Sequence, residues 1–251
     1  MTDPPPGLAD QLVALADDEL VLGHRDSEWT GHAPILEEDI AFANIAQDEI
    51  GHALLWYGLV HALIGDTPDQ LVFLRGPAAY RNVQLVELPK GDWAFSMLRQ
   101  YLFDAAESAR LAQMVASRYA PMAQVAAKIR TEEIYHYRHT HGWARRLALG
   151  TDESHRRMQT ALDQAWPYAQ QLFVPLPDEG MLVEAGIVPA AETVRQAWVD
   201  LTSPLLLEAG LAIPNGAQTI VRDRHTHTQH LERLLADMQE VARSEGPEVG
   251  W

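Results

Sequence analysis

The sequence contains no cysteine. That excludes disulfides, zinc–thiolate sites and iron–sulfur clusters, so any metal the chain holds is held by oxygen and imidazole. Positive charge is scarce as well: 19 basic residues stand against 35 acidic ones, a formal net charge of −16. Such a balance repels phosphate backbones and anionic lipid, which argues against nucleic-acid and membrane functions and favours solubility or a basic partner surface. Long apolar runs are missing too, since no stretch approaches the ~20 residues of a membrane span. The proline-rich start, Met1 to Gly7, has no basic n-region. A soluble, cytoplasmic protein is therefore expected. No segment alternates apolar and polar residues as a half-buried strand does.

Helical periodicity is what the sequence does contain. With 251 residues, 47% of them hydrophobic, the chain can build one large core. Leu8, Leu12, Leu15 and Leu22 recur at helical steps toward Trp29, which predicts a first helix. Gly31 and Pro34 break it, and a second runs from about Ile35 to Ile64. A crossover with breakers at Gly76-Pro77 and Pro89-Lys90-Gly91 leads to Asp92, a candidate cap for a third helix reaching about Ser117. A turn at Tyr119-Ala120-Pro121 opens a fourth, ending near Gly150. Two helical hairpins joined by a longer connection predict an all-α, ferritin-like four-helix bundle. Beyond it, Thr151 to Gln171, Ala190 to Leu211 and Ile220 to Ala242 read as additional C-terminal helices. The expectation is one domain over residues 1–251, with a core bundle over about 8–150, an extension over about 151–243 and a flexible tail over 244–251.

Each hairpin carries Glu-x-x-His on its second helix: Glu49 with His52, and Glu133 with His136. Residues three apart share a helix face, so carboxylate and imidazole can hold one ion together while the carboxylate reaches a second. Both pairs interrupt apolar stripes, Phe42-Ile45-Trp56-Leu59 in one helix and Ala126-Ile129-Trp143 in the other. Burying such groups without compensation costs several kcal/mol, whereas a metal pair compensates them together. A ferritin-like centre also needs one carboxylate from each remaining helix. Glu19 continues the stripe of the first helix, while Asp17 and Asp18 fall off it and are expected to be solvated. The third helix offers Asp104, with Glu107 as the alternative. The candidate set is Glu19, Glu49, His52, Asp104, Glu133 and His136, and its hard donors suit iron or manganese. His139 and His141 read as surface or core-edge residues, and His225, His227 and His230 as packing or interface groups. Trp29, Trp56, Trp93, Trp143 and Trp166 read as core.

Several segments resemble one known family. They are Glu28-Trp29-Thr30-Gly31-His32-Ala33-Pro34, Ala43-Asn44-Ile45-Ala46, Arg99-Gln100-Tyr101-Leu102-Phe103-Asp104, Gly142-Trp143, Leu149-Gly150-Thr151-Asp152 and His227-Thr228-Gln229-His230-Leu231. In combination they are similar to the bacterial phenylacetyl-CoA 1,2-epoxidases (ring 1,2-phenylacetyl-CoA monooxygenases), and to their C-type subunits in particular. The resemblance implies aerobic phenylacetate catabolism, in which an oxygenase complex forms a ring 1,2-epoxide with dioxygen and electrons from a flavin and iron–sulfur reductase. It implies that an A-type subunit holds the di-iron centre and substrate, and that the C-type subunit pairs with it as a structural relative with a degraded ligand set. The present sequence departs from that pattern, because its six candidate ligands look complete. It reads as a supporting subunit in a homo- or hetero-oligomer, not catalytic alone, with a retained di-iron or di-manganese ligand set whose occupancy is open. An independently catalytic di-metal oxygenase or oxidase is the alternative. A ferritin-like metal store fits less well, given the long C-terminal extension.

Overall fold

Two helical hairpins build the centre of the molecule, and each ends where the chain supplies a breaker. The computed structural model describes residues 5–214 and 221–245. In the first hairpin α1 (Leu8–Ser27) and α2 (Leu36–Ile64) are joined by a turn through Gly31, whose φ of 79° needs a glycine. Gly65 closes α2 in the left-handed conformation, its N–H bonded to the His61 carbonyl. The crossover contains a π turn at Gln70–Leu74, a 3-10 turn at Pro77–Ala79 and the short α3 (Gln84–Glu87). The second hairpin pairs α4 (Trp93–Met114) with α5 (Ala120–Ala148). As expected, Asp92 caps α4 by accepting from the Phe95 N–H.

The remaining helices are α6 (Asp152–Ala169), α7 (Glu179–Glu184), α8 (Ala191–Glu208) and α9 (Gln229–Glu245). Thr151 and Ser154 form a reciprocal capping box at the start of α6. Helices α6 and α8 both pack on α4, and α9 lies over the crossover, where Gln239 Nε2 donates to the Val72 and Arg75 carbonyls at 2.7 and 3.1 Å. Trp198 of α8 is fully buried and donates to the Leu102 carbonyl. The described residues contain no strand and no helix long and apolar enough to cross a membrane. The all-α, ferritin-like architecture follows.

Three expectations need correction. Asp17 and Asp18 are buried, not solvated, because α1 is enclosed on all sides. Asp17 pairs with Arg75 and accepts from Tyr57 and from the Arg81 N–H, while Asp18 accepts from the Val83 N–H and from Arg224. The last helix starts at Gln229, not Ile220: Ile220 lies outside the described residues, and at Asp223 the side chain accepts from the N–H groups of His225 and Thr226 in a turn. Of the tail expected over 244–251, Ser244 and Glu245 continue α9 and the rest lies outside the described residues.

Candidate metal centre

The interior of the bundle is polar where the four hairpin helices face one another. Glu19 of α1, Glu49 and His52 of α2, Asp104 of α4, and Glu133 and His136 of α5 are all buried. Glu49 and Glu133 stand between the two imidazoles. His52 Nδ1 lies 3.9 Å from Glu49 Oε2 and 3.5 Å from Glu133 Oε1, and His136 Nδ1 lies 3.5 Å from Glu49 Oε1 and 2.9 Å from Glu133 Oε1. Glu19 closes the His52 side, its Oε2 3.5 Å from the same Nδ1. Glu19, Glu49, His52 and Glu133 each offer a ligand atom within 4.8 Å of the others.

Asp104 and His136 fall outside that tightest group. Asp104 Oδ1 accepts from Gln100 Nε2 at 2.9 Å, and the same amide donates to Glu49 Oε1 at 2.9 Å. Asp104 Oδ2 accepts from Thr140 at 2.6 Å, one turn beyond His136. Asp104 therefore borders the His136 side with each oxygen accepting one hydrogen bond, and each keeps a lone pair free. Glu107, the alternative on the same helix, is buried and paired with Arg110.

The electrostatics match a site that exchanges protons for cations. Burial, reinforced by the charge of Glu49, raises Glu19 well above the ordinary carboxylate range. Burial and Glu133 do the same to Asp104, and burial also raises Glu133. Burial opposes charge on Glu49, yet the adjacent Glu19 carboxyl and the His136 imidazole bring it down to about 2. Burial likewise opposes charge on His136, but Glu133 and Glu49 hold it up to about 12. Burial thus favours the neutral form of Glu19, Asp104 and Glu133. Hydrogen bonding satisfies the cluster only in part: the raised Glu19 carboxyl hydrogen-bonds Glu49, while His52 Nδ1 and Glu133 Oε2 are buried without a partner. Buried polar atoms are normally satisfied, and unsatisfied groups beside four residues whose ligand atoms lie within 4.8 Å of one another fit a metal cation.

Two outer carboxylates complete the arrangement and were not singled out from the sequence. His52 Nε2 meets Glu132 Oε2 of α5 at 2.8 Å, and His136 Nε2 meets Asp48 Oδ2 of α2 at 3.3 Å. Each imidazole is held from outside by an acid of the opposite helix, leaving Nδ1 directed inward. The signal was present in the sequence: an acid immediately precedes the glutamate in both motifs, Asp48-Glu49 and Glu132-Glu133.

The other histidines play structural parts. His139 pairs with Glu38 at 2.9 Å, and His141 packs among Tyr101 and Tyr137. His227 bridges Glu87 Oε1 at 2.6 Å and the Tyr80 carbonyl at 3.1 Å, pinning the segment before α9 to the crossover. Trp29 and Trp56 are buried, and Trp93 makes edge contacts with Trp29 and Trp143 at 5.0 and 5.6 Å between centroids.

Fold and site together define a ferritin-like helical bundle with a buried carboxylate–histidine cluster that could hold a metal ion. A profile of the family described as "Phenylacetic acid catabolic protein" matches residues 3–251, and the chain belongs to that family. It is 37% identical over 231 residues to the C subunit of the 1,2-phenylacetyl-CoA epoxidase of Escherichia coli (strain K12), covering 91% of this chain and 93% of that protein. It is also 25% identical over 212 residues to the A subunit of the enzyme of that name from the same organism, covering 82% of this chain and 68% of that protein.

Proposed function

We propose that the chain is the C-type subunit of a phenylacetyl-CoA 1,2-epoxidase, pairing with and supporting a catalytic A-type subunit in the cytoplasm, and that its cluster holds two metal ions. The observation that carries the reading is the 37% identity to the C-type relative from Escherichia coli, sustained over 91% of this chain. Activity belongs to the assembly, and the flavin and iron–sulfur reductase reaches this chain only through it. The broad cleft of about 880 Å³ between the crossover and α6 is lined by Leu88, Phe95, Arg157 and Tyr168 among others, and by none of the six cluster residues.

The residues that would hold the metals are Glu19, Glu49, His52, Asp104, Glu133 and His136. Iron or manganese bound there would supply redox chemistry toward dioxygen. The chain's own contribution is positioning. Glu49 and Glu133, each facing both imidazoles, would hold the metals from between them, with Glu19 beside His52 and Asp104 on the His136 side. Asp48 and Glu132 fix the imidazole rings from outside, and Gln100 ties Asp104 to Glu49. The test is single-turnover epoxidation of phenylacetyl-CoA by the iron-loaded, chemically reduced chain, alone and with an A-type subunit. Product only in the presence of the A-type subunit is expected. Product from the chain alone would establish an independent oxygenase instead.

A further inference from the structure

Helix α2 has a second face that the cluster does not explain. Its inward stripe carries Glu49 and His52, and its outer stripe faces away from the bundle. Between residues 40 and 60 every exposed position of α2 is uncharged: two amides, the aliphatics Ile40, Ile50 and Leu54, and the glycines Gly51 and Gly58. The half-buried Asp48 is turned to His136. In a chain of which 22% is charged, a solvated stripe of this length would carry charge. Helix α5, by contrast, exposes Lys128, Arg130, Arg138 and Arg145. Ile40 and Leu54 are each 57% exposed, so the uncharged surface runs roughly 21 Å along the axis between them, beginning just past the exposed Glu37. No atom lies within 4 Å of where a Cβ would stand on Gly51 or Gly58. Nothing among the described residues requires glycine there, although glycine weakens a helix interior. A second helix packed closely against α2 would require it.

We propose that the uncharged outer face of α2 is the docking surface for the A-type subunit, helix against helix. The inference rests on the reading of this chain as a C-type subunit. Two observations choose the occupant. The chain is similar to both the C and the A subunits of one named enzyme, so the partner has a related bundle that can offer a helix face equivalent to this one. A second copy of this chain would oppose one formal charge of −16 with another, a repulsion that an uncharged contact does not offset. An uncharged centre rich in aliphatic side chains is also the composition of an interface core.

The experiment measures binding of the full-length chain to a purified A-type subunit by calorimetry and size-exclusion chromatography, for wild type, Leu54→Glu, Gly58→Arg and a control, Glu192→Lys on α8. Wild type and the control bind alike. Leu54→Glu and Gly58→Arg bind about 100-fold more weakly or not at all. Gly58→Arg melts no lower than wild type, since arginine is the better helix former, so its lost binding is not lost folding. If wild type binds and both α2 variants bind equally well, the docking face is wrong while the C-type reading stands. If folded wild type does not bind the A-type subunit, both fall. Self-association of the chain that the α2 variants abolish, without A-type binding, would make the face a homodimer contact and overturn the proposal.

Discussion

Replacing Glu19 by methionine should stabilise the metal-free protein and cost it its metal. Glu19 is 1% exposed, its carboxyl is driven toward the neutral form by burial and by Glu49, and its hydrogen bond to Glu49 leaves the rest of the buried carboxyl unsatisfied. A buried polar group left unsatisfied costs about 1–3 kcal/mol. Methionine has similar volume and length, and volume-conserving core changes cost less than about 1.5 kcal/mol. After the repacking cost and about 1 kcal/mol for the lost hydrogen bond to Glu49, the net gain in the metal-free state is at most about 2 kcal/mol, or up to roughly 8 °C in Tm for a chain of this size. With metal the order reverses. A ligand at a hundred times its Kd stabilises the folded state by about 2.7 kcal/mol, and Glu19→Met would forfeit much of that by removing an oxygen donor beside His52. Differential scanning calorimetry of both proteins in chelator and in excess manganese reads both effects. Glu19→Met melting below wild type in chelator would refute the reasoning, because Glu19 would then be a structural group and not an uncompensated ligand.

Metal affinity should rise with pH. His136, held up to about 12 by Glu133 and Glu49, keeps a proton at neutral pH that a cation must expel, and the upward shifts of Glu19 and Asp104 act in the same direction. Each proton expelled contributes about tenfold in affinity per pH unit, and manganese titrations at about pH 6 and about pH 8 will show the rise; equal affinities would contradict it. Gly23→Ala should destabilise despite the better helix former, because the added Cβ meets Glu49 Cβ at 2.9 Å and the Ala46 carbonyl at 3.0 Å. We expect a loss of about 1–3 kcal/mol in urea unfolding together with weaker metal binding; an unchanged midpoint would show that α1 and α2 separate freely. Arg224→Met should cost about 3–5 kcal/mol by stranding buried Asp18, with which Arg224 makes a 2.7 Å ion pair. A loss below about 1 kcal/mol would mean that the Val83 N–H satisfies Asp18 alone.

The bundle was legible because its helices are long and their periodicity strong, and because glycine, proline and capping residues mark their ends. The Glu-x-x-His pairs were legible because a helix fixes which residues share a face. Asp17 and Asp18 were misread because a one-face pattern assumes one buried face, whereas α1 is covered by its hairpin partner, the crossover and the segment around Arg224. The part played by His227 depends on Glu87, 140 residues away in the chain, which no local spacing reveals. Helix α7 is only six residues long and follows a proline-rich stretch, so periodicity had too little to act on. Asp48 and Glu132 could have been found by comparing the two motifs, since the repeated acid is local.

Metal analysis of the chain purified from iron-supplemented culture, beside a Glu49→Ala/Glu133→Ala double variant, tests most directly whether the buried cluster is a metal centre. Wild type should carry about two metal ions per chain, as bundles of this type do, and the folded double variant essentially none. Equally little metal in both would mean that the cluster is held by protons alone and that the chain supports its partner without a centre of its own.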